Sequence, residues 1–231
     1  RLTPNFDTNG VFLNYTLNGA VYTDNVNQIR VGGRTPQGGD IIWEDLDGDF
    51  TITADDRKIL GNGLSTTYGG FSHDIRYKNL SVSLLFDFSL NHDIYSRWDE
   101  DRNDFAAGAE SPGPERIYGA WFEPGDQTIY PRLDRVPQNR LKPNSFFVTD
   151  GSFIKWRYIR FNYNFNEELI DLIPGVEAIS LNFAVNNLLT WTNYGGYNPE
   201  LGNRGSALTP NMDQLRYPND REIILGVRVK F

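Results

Sequence analysis

The 231-residue chain contains no cysteine, one methionine and two histidines. Without cysteine it has no disulfide, no thiolate metal site and no cysteine nucleophile. The two histidines, His73 and His92, lack the spacing of a zinc-binding pair. No stretch approaches the ~20 consecutive apolar residues that a membrane-spanning helix needs. The sequence therefore excludes cysteine chemistry and disfavours a histidine zinc site and a membrane protein of the helical type.

Positive charge is also scarce. The formal net charge is -8, the pI is near 4.8, and no Lys/Arg run exceeds two residues. Such a chain repels phosphate backbones, so we expect no nucleic-acid partner. The composition is 39% apolar and 14% aromatic, which is enough to form a folded protein with a substantial buried surface.

Catalytic motifs are missing as well. There is no Gly-x-Ser-x-Gly elbow, and "GNGLST" lacks the third glycine of a dinucleotide fingerprint. Asp99, Glu100 and Asp101 could imitate a glycosidase acid pair, but adjacent acids in a loop more often form a solvated acidic run. We therefore expect that the protein is not an enzyme.

Alternation of apolar and polar residues recurs along the chain, whereas the helical period is nearly absent. In "LSVSLLFDFSL", residues 80–90, Val82 and Leu84 lie on one predicted strand face and Ser81 and Ser83 on the other. The predicted strands are about 10 or more residues long, as a transmembrane β-strand requires. They occupy residues 68–77, 80–90, 153–165, 177–190 and 222–231.

The connections between these strands alternate between short and very long. Lys78 and Asn79 form a minimal turn, while roughly 92–150 and 191–220 are long insertions. Short periplasmic turns and long extracellular loops are typical of outer-membrane barrels. The sequence thus predicts an all-β fold, an antiparallel transmembrane β-barrel segment with long extracellular loops. Residues 1–67 would form an extracellular loop region, and residues 68–231 would form the transmembrane strands with their loops. Near the start of the chain, Asn18 and Gly19 predict the turn of a tight hairpin.

Several motifs, in this order, resemble the C-terminal part of SusC/RagA-type TonB-linked outer-membrane transporters of Bacteroidetes. The resemblance runs from about Gly39 to Phe231 and is more specific than any single motif. The motifs are "GDIIWEDLDGDFTITADDRKILGNG", "YGGFSHDIRYKNLSVSLLFDFSL" followed by "HDIY", "DGSFIKWRYIRFNYNF", "NNLLTWTNYGGYNPELG" and the terminal "VRVKF".

The resemblance implies a large plugged barrel in the outer membrane, with its lipid-facing surface in contact with membrane lipid. It implies a SusD-like surface lipoprotein as partner, TonB engaged through an N-terminal part that this chain lacks, and glycans or peptides as imported substrates. With five or six strands, the chain holds too few to close such a barrel. We expect it to be the C-terminal strands of a longer transporter.

An acidic loop, "DLDGDFTITADD" at residues 45–56, has EF-hand-like spacing. Asp45, Asp47 and Asp49 occupy positions 1, 3 and 5; Thr51 at 7 would offer its carbonyl, and Asp56 stands at 12. Oxygen ligands favour a hard cation, and the loose geometry favours Ca²⁺ over Mg²⁺.

The loop departs from the EF-hand pattern at two positions. Phe50 replaces the glycine at position 6, and Asp56 replaces the longer glutamate at position 12. The alternative is an acidic turn exposed to solvent that binds no metal. If a metal binds, we expect it to stabilise an extracellular loop rather than drive a conformational switch.

Aromatic residues mark two further features. The terminal Phe231, on an amphipathic last strand, resembles the signal that the barrel-assembly machinery reads, and by periodicity it also faces lipid. No substrate-binding residue can be assigned from the sequence. Four loop aromatics could contact substrate at the channel mouth, or could instead hold the loops together: Trp98, Trp121, Tyr194 and Tyr197.

A second class of function stays open at this point. The same alternation fits a secreted antiparallel β-sandwich that binds calcium and carbohydrate. A sandwich would bury the apolar strand faces against a second sheet, whereas the barrel segment would present them to lipid.

Overall fold

The computed structural model describes residues 3–6, 8, 12–17, 20–22, 30–34, 36–41, 43–103, 113–133, 143–202 and 208–231. The chain divides into two compact units. Unit 1 combines Arg1–Leu60 with Trp98–Ser145, and unit 2 combines Gly61–Arg97 with Phe146–Phe231. Asn18 and Gly19, where a hairpin turn is predicted, lie outside the described residues.

The secondary structure is dominated by strands, with three short α-helices and one 3₁₀ turn among the described residues. In the described residues, no helix is both long and apolar enough to cross a membrane. In chain order the elements are β1 (Thr3–Phe6), β2 (Phe12–Leu17), β3 (Ala20–Tyr22), β4 (Thr67–Tyr77), β5 (Leu80–Leu90), β6 (Asp93–Ser96), α1 (Arg97–Asn103), α2 (Pro114–Tyr118), the 3₁₀ turn Ser145–Phe147, β7 (Val148–Asp150), β8 (Phe153–Asn164), α3 (Glu167–Ile170), β9 (Ala178–Thr192), β10 (Met212–Asp213) and β11 (Glu222–Lys230).

Unit 2 is built on a five-stranded antiparallel sheet in the order β11-β9-β8-β5-β4. These five strands are the long strands predicted from alternation. No strand end differs from its predicted position by more than two residues. They contain 9 to 15 residues each. The predicted turn between β4 and β5 is also present: Tyr77 pairs with Leu80, so Lys78 and Asn79 alone connect the strands. The all-β, antiparallel fold class is therefore confirmed.

One face of this sheet is continuously apolar. Across the strands, Val82 pairs with Phe161, and Phe161 pairs in turn with Phe183. Leu225 continues the row on β11 and is 70% exposed. Because cross-strand partners share a face, the alternation within each strand becomes one apolar surface across the sheet. A soluble sandwich would bury this surface. Here its side chains are mostly half-buried on the central strands and exposed on β4 and β11.

A β-bulge at Arg157 keeps the apolar face in phase along β8. Phe86 pairs with Trp156, but the next pair is Leu85 with Tyr158, so Arg157 is the extra residue. Without the bulge, the apolar side chains before and after Arg157 would point to opposite faces, because side chains alternate with a period of two.

A smaller sheet in unit 2 has the order β10-β6-β7, with β10 parallel and β7 antiparallel to β6. Its central residue Ile94 is fully buried and packs in one cluster with Tyr194 and Leu201. This cluster is the apolar core beneath the segment that follows β9.

Unit 1 holds the antiparallel sheet β1-β2-β3 and a loop-rich region around Arg116. The Arg116 guanidinium is buried and donates to the carbonyl oxygens of Asn103 (3.0 Å) and Pro131 (2.8 Å). A charged group that bonds two separate segments holds both in place, since breaking these bonds would remove hydrogen bonds from a buried charge.

Candidate functional site

The acidic loop of unit 1 brings together three of the predicted metal ligands. Carboxylate oxygens of Asp45, Asp47 and Asp49 all lie within 4.8 Å of one another. Asp47 Oδ1 accepts the Asp49 amide (3.1 Å), and Asp49 Oδ1 accepts the Thr51 amide (2.7 Å). The second carboxylate oxygen of Asp47 and that of Asp49 take no part in these two backbone contacts.

The backbone follows the EF-hand course despite the substitution at position 6. Phe50 has φ 61, the left-handed conformation for which that position normally uses glycine, and Gly48 has φ 80. The Phe50 amide donates to Asp45 Oδ2 (3.0 Å), which holds the turn closed. The left-handed φ costs a bulky residue such as phenylalanine of the order of 1–3 kcal/mol. The surrounding hydrogen bonds must therefore offset this cost and hold the conformation.

Asp56 has a different role from the three clustered carboxylates. Its two oxygens accept the amides of Leu46 (2.8 Å) and Thr53 (2.7 Å), tying the two ends of the loop together. These amides are the main reason that the pKa of Asp56 lies below its usual value. Thr51 forms a bridge with Arg30, and its side chain is exposed.

Charge repulsion within the loop is visible at Asp47. The Asp49 amide acts to lower the pKa of Asp47, but desolvation and the charges of Asp49, Asp56 and Asp45 together raise it above its usual value. The donor set is all oxygen, negatively charged and convergent. These residues fit a hard divalent cation, and Ca²⁺ better than Mg²⁺ because the geometry is irregular.

The polar face of the five-stranded sheet carries an ion cluster in unit 2. Arg157 binds Asp87 through two bonds, Nε to Oδ1 (2.7 Å) and Nη2 to Oδ2 (2.8 Å). Arg157 also pairs with Glu200 through Nη1 (2.9 Å), and Lys155 reaches the same carboxylate (3.0 Å). Two cations therefore face two carboxylates, and Glu200 ties the segment after β9 onto the sheet.

Glu200 is held in its charged form by these contacts. Burial alone would raise the pKa of Glu200, but hydrogen bonds from Arg157 and Lys155 outweigh it and lower the pKa below the usual value. Sequence reasoning missed this cluster. The shift of the apolar phase between Trp156 and Ile159 could have indicated the bulge at Arg157, but nothing local to the sequence indicates Glu200 as its partner.

The four loop aromatics have distinct environments. Tyr194 is 7% exposed, and its hydroxyl hydrogen-bonds Asp213, so it is a packing residue. In unit 1, Trp121 lies directly against Gly39, and Arg102 lies over the Trp98 ring at 5.9 Å. Tyr197 differs from these three because 66% of it is exposed. The exposed ring makes Tyr197 the most available of the four for a ligand.

The remaining predicted positions are a terminal aromatic and two histidines. Phe231 follows β11 in phase with the apolar Val229 and is 82% exposed. His73 lies on the apolar face, stacked near Phe71 with ring centroids 6.1 Å apart. His92 is buried beside Phe153, and its Nδ1 has no hydrogen-bond partner in the described parts of the chain. Burial lowers the pKa of His92, against the smaller opposing effect of nearby acidic charge.

Comparison with solved structures defines the class of fold. The chain matches the RagAB peptide importer in its 'closed-closed' state with a TM-score of 0.60, over 100% of this chain and 22% of that one, at 18% identity. A second structure, of the RagAB peptide transporter, gives 0.61 over the same shares. The sheet thus has the fold of part of a RagA-type outer-membrane barrel, as the alternation predicts.

Comparison of sequences gives the relationship. The chain is 45% identical, over its full length, to TonB-dependent receptor P39 of Formosa agariphila, and 30% identical over 92% of its length to TonB-dependent receptor P3 of the same organism. It spans 22% of the length of either relative. No family model matches the chain. The predicted resemblance to SusC/RagA-type TonB-linked transporters is confirmed: the chain corresponds, over its whole length, to a segment of a TonB-dependent receptor.

Proposed function

We propose that the chain is the C-terminal barrel portion of a TonB-dependent outer-membrane importer. The single observation that carries the proposal is the two-faced sheet of long strands, apolar and accessible on one face and charged on the other. Lipid on the apolar face would remove large side chains such as Leu225 from water, at about 25 cal/mol per Å² of apolar surface. The ion cluster of Arg157 would then face the aqueous lumen.

The orientation follows from the connections. The tight turn at Lys78 and Asn79 suits the periplasmic side, and the long connections around 92–150 and 191–220 suit the extracellular side. Residues 1–67 would add to the extracellular loops. Phe231 follows β11 in phase with its apolar residues and is exposed, so its side chain would face lipid.

Partners and substrate are proposed by relationship. The RagAB structures are described as a peptide importer or transporter, and the related chains as TonB-dependent receptors. For this protein we propose a SusD-like surface lipoprotein as the partner over the extracellular loops, energy supplied through TonB, and a glycan or peptide as cargo. Its role would be transport without catalysis, and the acidic charge disfavours nucleic acid.

The acidic loop is proposed to bind Ca²⁺. Asp45, Asp47 and Asp49 would supply side-chain oxygens and Thr51 its carbonyl, while Asp56 closes the loop through its backbone contacts. A bound cation would offset the repulsion among these carboxylates, which together with desolvation raises the pKa of Asp47. The ion would stabilise the loop and would not take part in transport chemistry.

The proposal is tested by isolating the native polypeptide from detergent-solubilised outer membrane and measuring its intact mass with peptide mapping. A membrane polypeptide several times longer than 26.4 kDa, containing this segment, is the expected result. Recovery of a stable 26.4 kDa species in the soluble fraction would contradict it and would favour the calcium-binding sandwich.

A further inference from the structure

A small depression opens on the polar face of the sheet, beside the ion cluster. Its volume is about 200 Å³, and all of its lining belongs to unit 2. Thr190 and Lys155 line it from neighbouring positions of β9 and β8, where they pair across the sheet. Tyr197 and Asn198 line it from the segment that follows β9, and Asn219 lines it from the segment that precedes β11.

The depression carries almost no net charge. Lys155 is the one lining residue whose side chain is charged at neutral pH; it is 2% exposed, and its ammonium is 3.0 Å from the Glu200 carboxylate. Moving that ammonium away from Glu200 to bind an anion would leave a half-buried carboxylate with one cation fewer. A charged ligand would therefore gain little here, and a neutral ligand is favoured.

The depression offers hydrogen bonds that the protein does not use. Neither Thr190 Oγ1 nor the side-chain amide of Asn219 makes a hydrogen bond with any residue that the structure describes. A hydroxyl and an amide both donate and accept, so they suit a ligand that does the same. The exposed ring of Tyr197 adds a flat apolar surface at the edge.

We infer that this depression is a subsite for one ring of a neutral glycan, with the ring against Tyr197 and its hydroxyls bonded to Thr190 and Asn219. Pockets that take apolar side chains are lined mainly by apolar groups. This depression is lined mainly by hydroxyls and amides, which disfavours an apolar peptide side chain as occupant. The inference rests on the proposed importer function and specifies its cargo.

Placement supports the subsite as part of a transport path. Thr190 and Lys155 lie on the polar face of the sheet. They are near the C-terminal end of β9, which leads into the long connection around 191–220. Under the proposed function this is the extracellular end of the lumen. A neutral ring held there would meet the channel wall where substrate first enters.

The test uses the complete receptor in detergent and binding measured by isothermal titration. The probes are neutral hexasaccharides of glucose, galactose, mannose and xylose, a hexagalacturonate, and a mixture of uncharged hexapeptides. We expect at least one neutral hexasaccharide to bind. Tyr197→Ala should weaken that binding about tenfold and Thr190→Val about fivefold, as loss of one stacked ring and of one hydrogen bond would do.

Tyr217→Ala is the matched control, because Tyr217 is an exposed tyrosine of the same unit that does not line the depression. It should leave binding unchanged, and thermal unfolding of every variant should match that of the parent. Binding of hexapeptides or hexagalacturonate alone would overturn the neutral-glycan assignment and leave the importer proposal standing. Neutral-glycan binding that is equal in Tyr197→Ala, Thr190→Val and Tyr217→Ala would overturn the subsite. A receptor that binds no probe would overturn the subsite, whereas the importer proposal is tested separately by the intact mass of the membrane polypeptide.

Discussion

Arg157 and Asp87 form a two-bond ion pair across neighbouring strands, with donor–acceptor distances of 2.7 and 2.8 Å. The pair exists because Arg157 is the extra residue of a bulge, which directs its guanidinium to the polar face. Glu200 joins the same guanidinium from outside the sheet. One residue thus keeps the apolar face in phase and anchors a following segment.

Removing the guanidinium should destabilise unit 2. Arg157→Ala leaves Asp87 and Glu200 short of a cation, and because the group is partly solvated we expect a loss of about 1–3 kcal/mol in the free energy of unfolding. Arg157→Lys should recover only part of this, since an ammonium cannot make the paired contact. Thermal unfolding of the complete receptor in detergent measures the effect.

The control for this prediction is Arg160→Ala. Arg160 belongs to the same strand and polar face but lies over the Tyr158 ring at 4.1 Å, with no ion pair among the described residues. Equal losses in Arg157→Ala and Arg160→Ala would show that the ion cluster has no special contribution.

Glu200 should hold its segment against the sheet until the pH is acidic. Its pKa is lowered in the fold, so its stabilising contribution is present above the ordinary value of 4.5 and is lost as pH falls through the folded pKa. Amide protection factors of residues 193–202, which compare exchange with that of the unfolded chain at the same pH, should be high at pH 6 and fall below about pH 4.5. Glu200→Gln should lower the protection factors at both pH values; unchanged protection in this variant at pH 6 would contradict the anchoring role.

His92 should make stability fall as the pH is lowered. Because burial lowers its pKa in the folded state, the unfolded chain binds the proton first. Stability is therefore full above the unfolded pKa of about 6.5 and declines as pH falls from there toward the folded pKa. The unfolding midpoint between pH 7 and 5 measures this slope. His92→Phe should flatten it, and an unchanged slope would assign the pH dependence to other groups.

The acidic loop should bind Ca²⁺ through its clustered carboxylates. Asp49→Asn removes one charge from the cluster and should weaken binding by at least roughly tenfold, measured by terbium luminescence and calcium competition on the complete receptor. Asp55→Asn is the matched control, because Asp55 is an exposed acid of the same loop outside the cluster. Equal affinities in the two variants, or no calcium competition in the parent, would contradict the metal site.

Gly39 should not tolerate a side chain. It has φ 78, and a Cβ at this position would overlap the Trp121 ring. Gly39→Ala should destabilise unit 1 by about 2 kcal/mol, from the left-handed backbone and the steric overlap together. Gly33→Ala is the control for backbone strain alone, since Gly33 has φ 80 and open space around it. A smaller loss in Gly39→Ala than in Gly33→Ala would contradict the packing role of Trp121.

Sequence patterns predicted the five long strands because one face of each must be apolar. This requirement makes every second residue apolar, and the alternation can be recognised in the sequence. The spacing of the acidic loop also indicated that Asp45, Asp47 and Asp49 lie close together, because all three fall within five positions; that they bind a metal stays a prediction. The Asp87–Arg157–Glu200 cluster could not be predicted, because its partners are 70 and 43 residues from Arg157 and meet only through strand order. The roles of the loop aromatics could not be predicted either. Tyr194 is buried and Tyr197 is exposed in the fold, but no local sequence pattern distinguishes the two residues.

The central claim is that the sheet has one face in lipid and the other in water. Single spin labels at Val82, Leu84 and Phe161, and at Ser81, Ser83 and Asn162, should be introduced into the complete receptor in outer-membrane vesicles. We expect collisions with molecular oxygen at the first three positions and with a water-soluble nickel chelate at the second three. Labels at Val82, Leu84 and Phe161 that neither reagent reaches would indicate a buried sandwich core and would contradict the account.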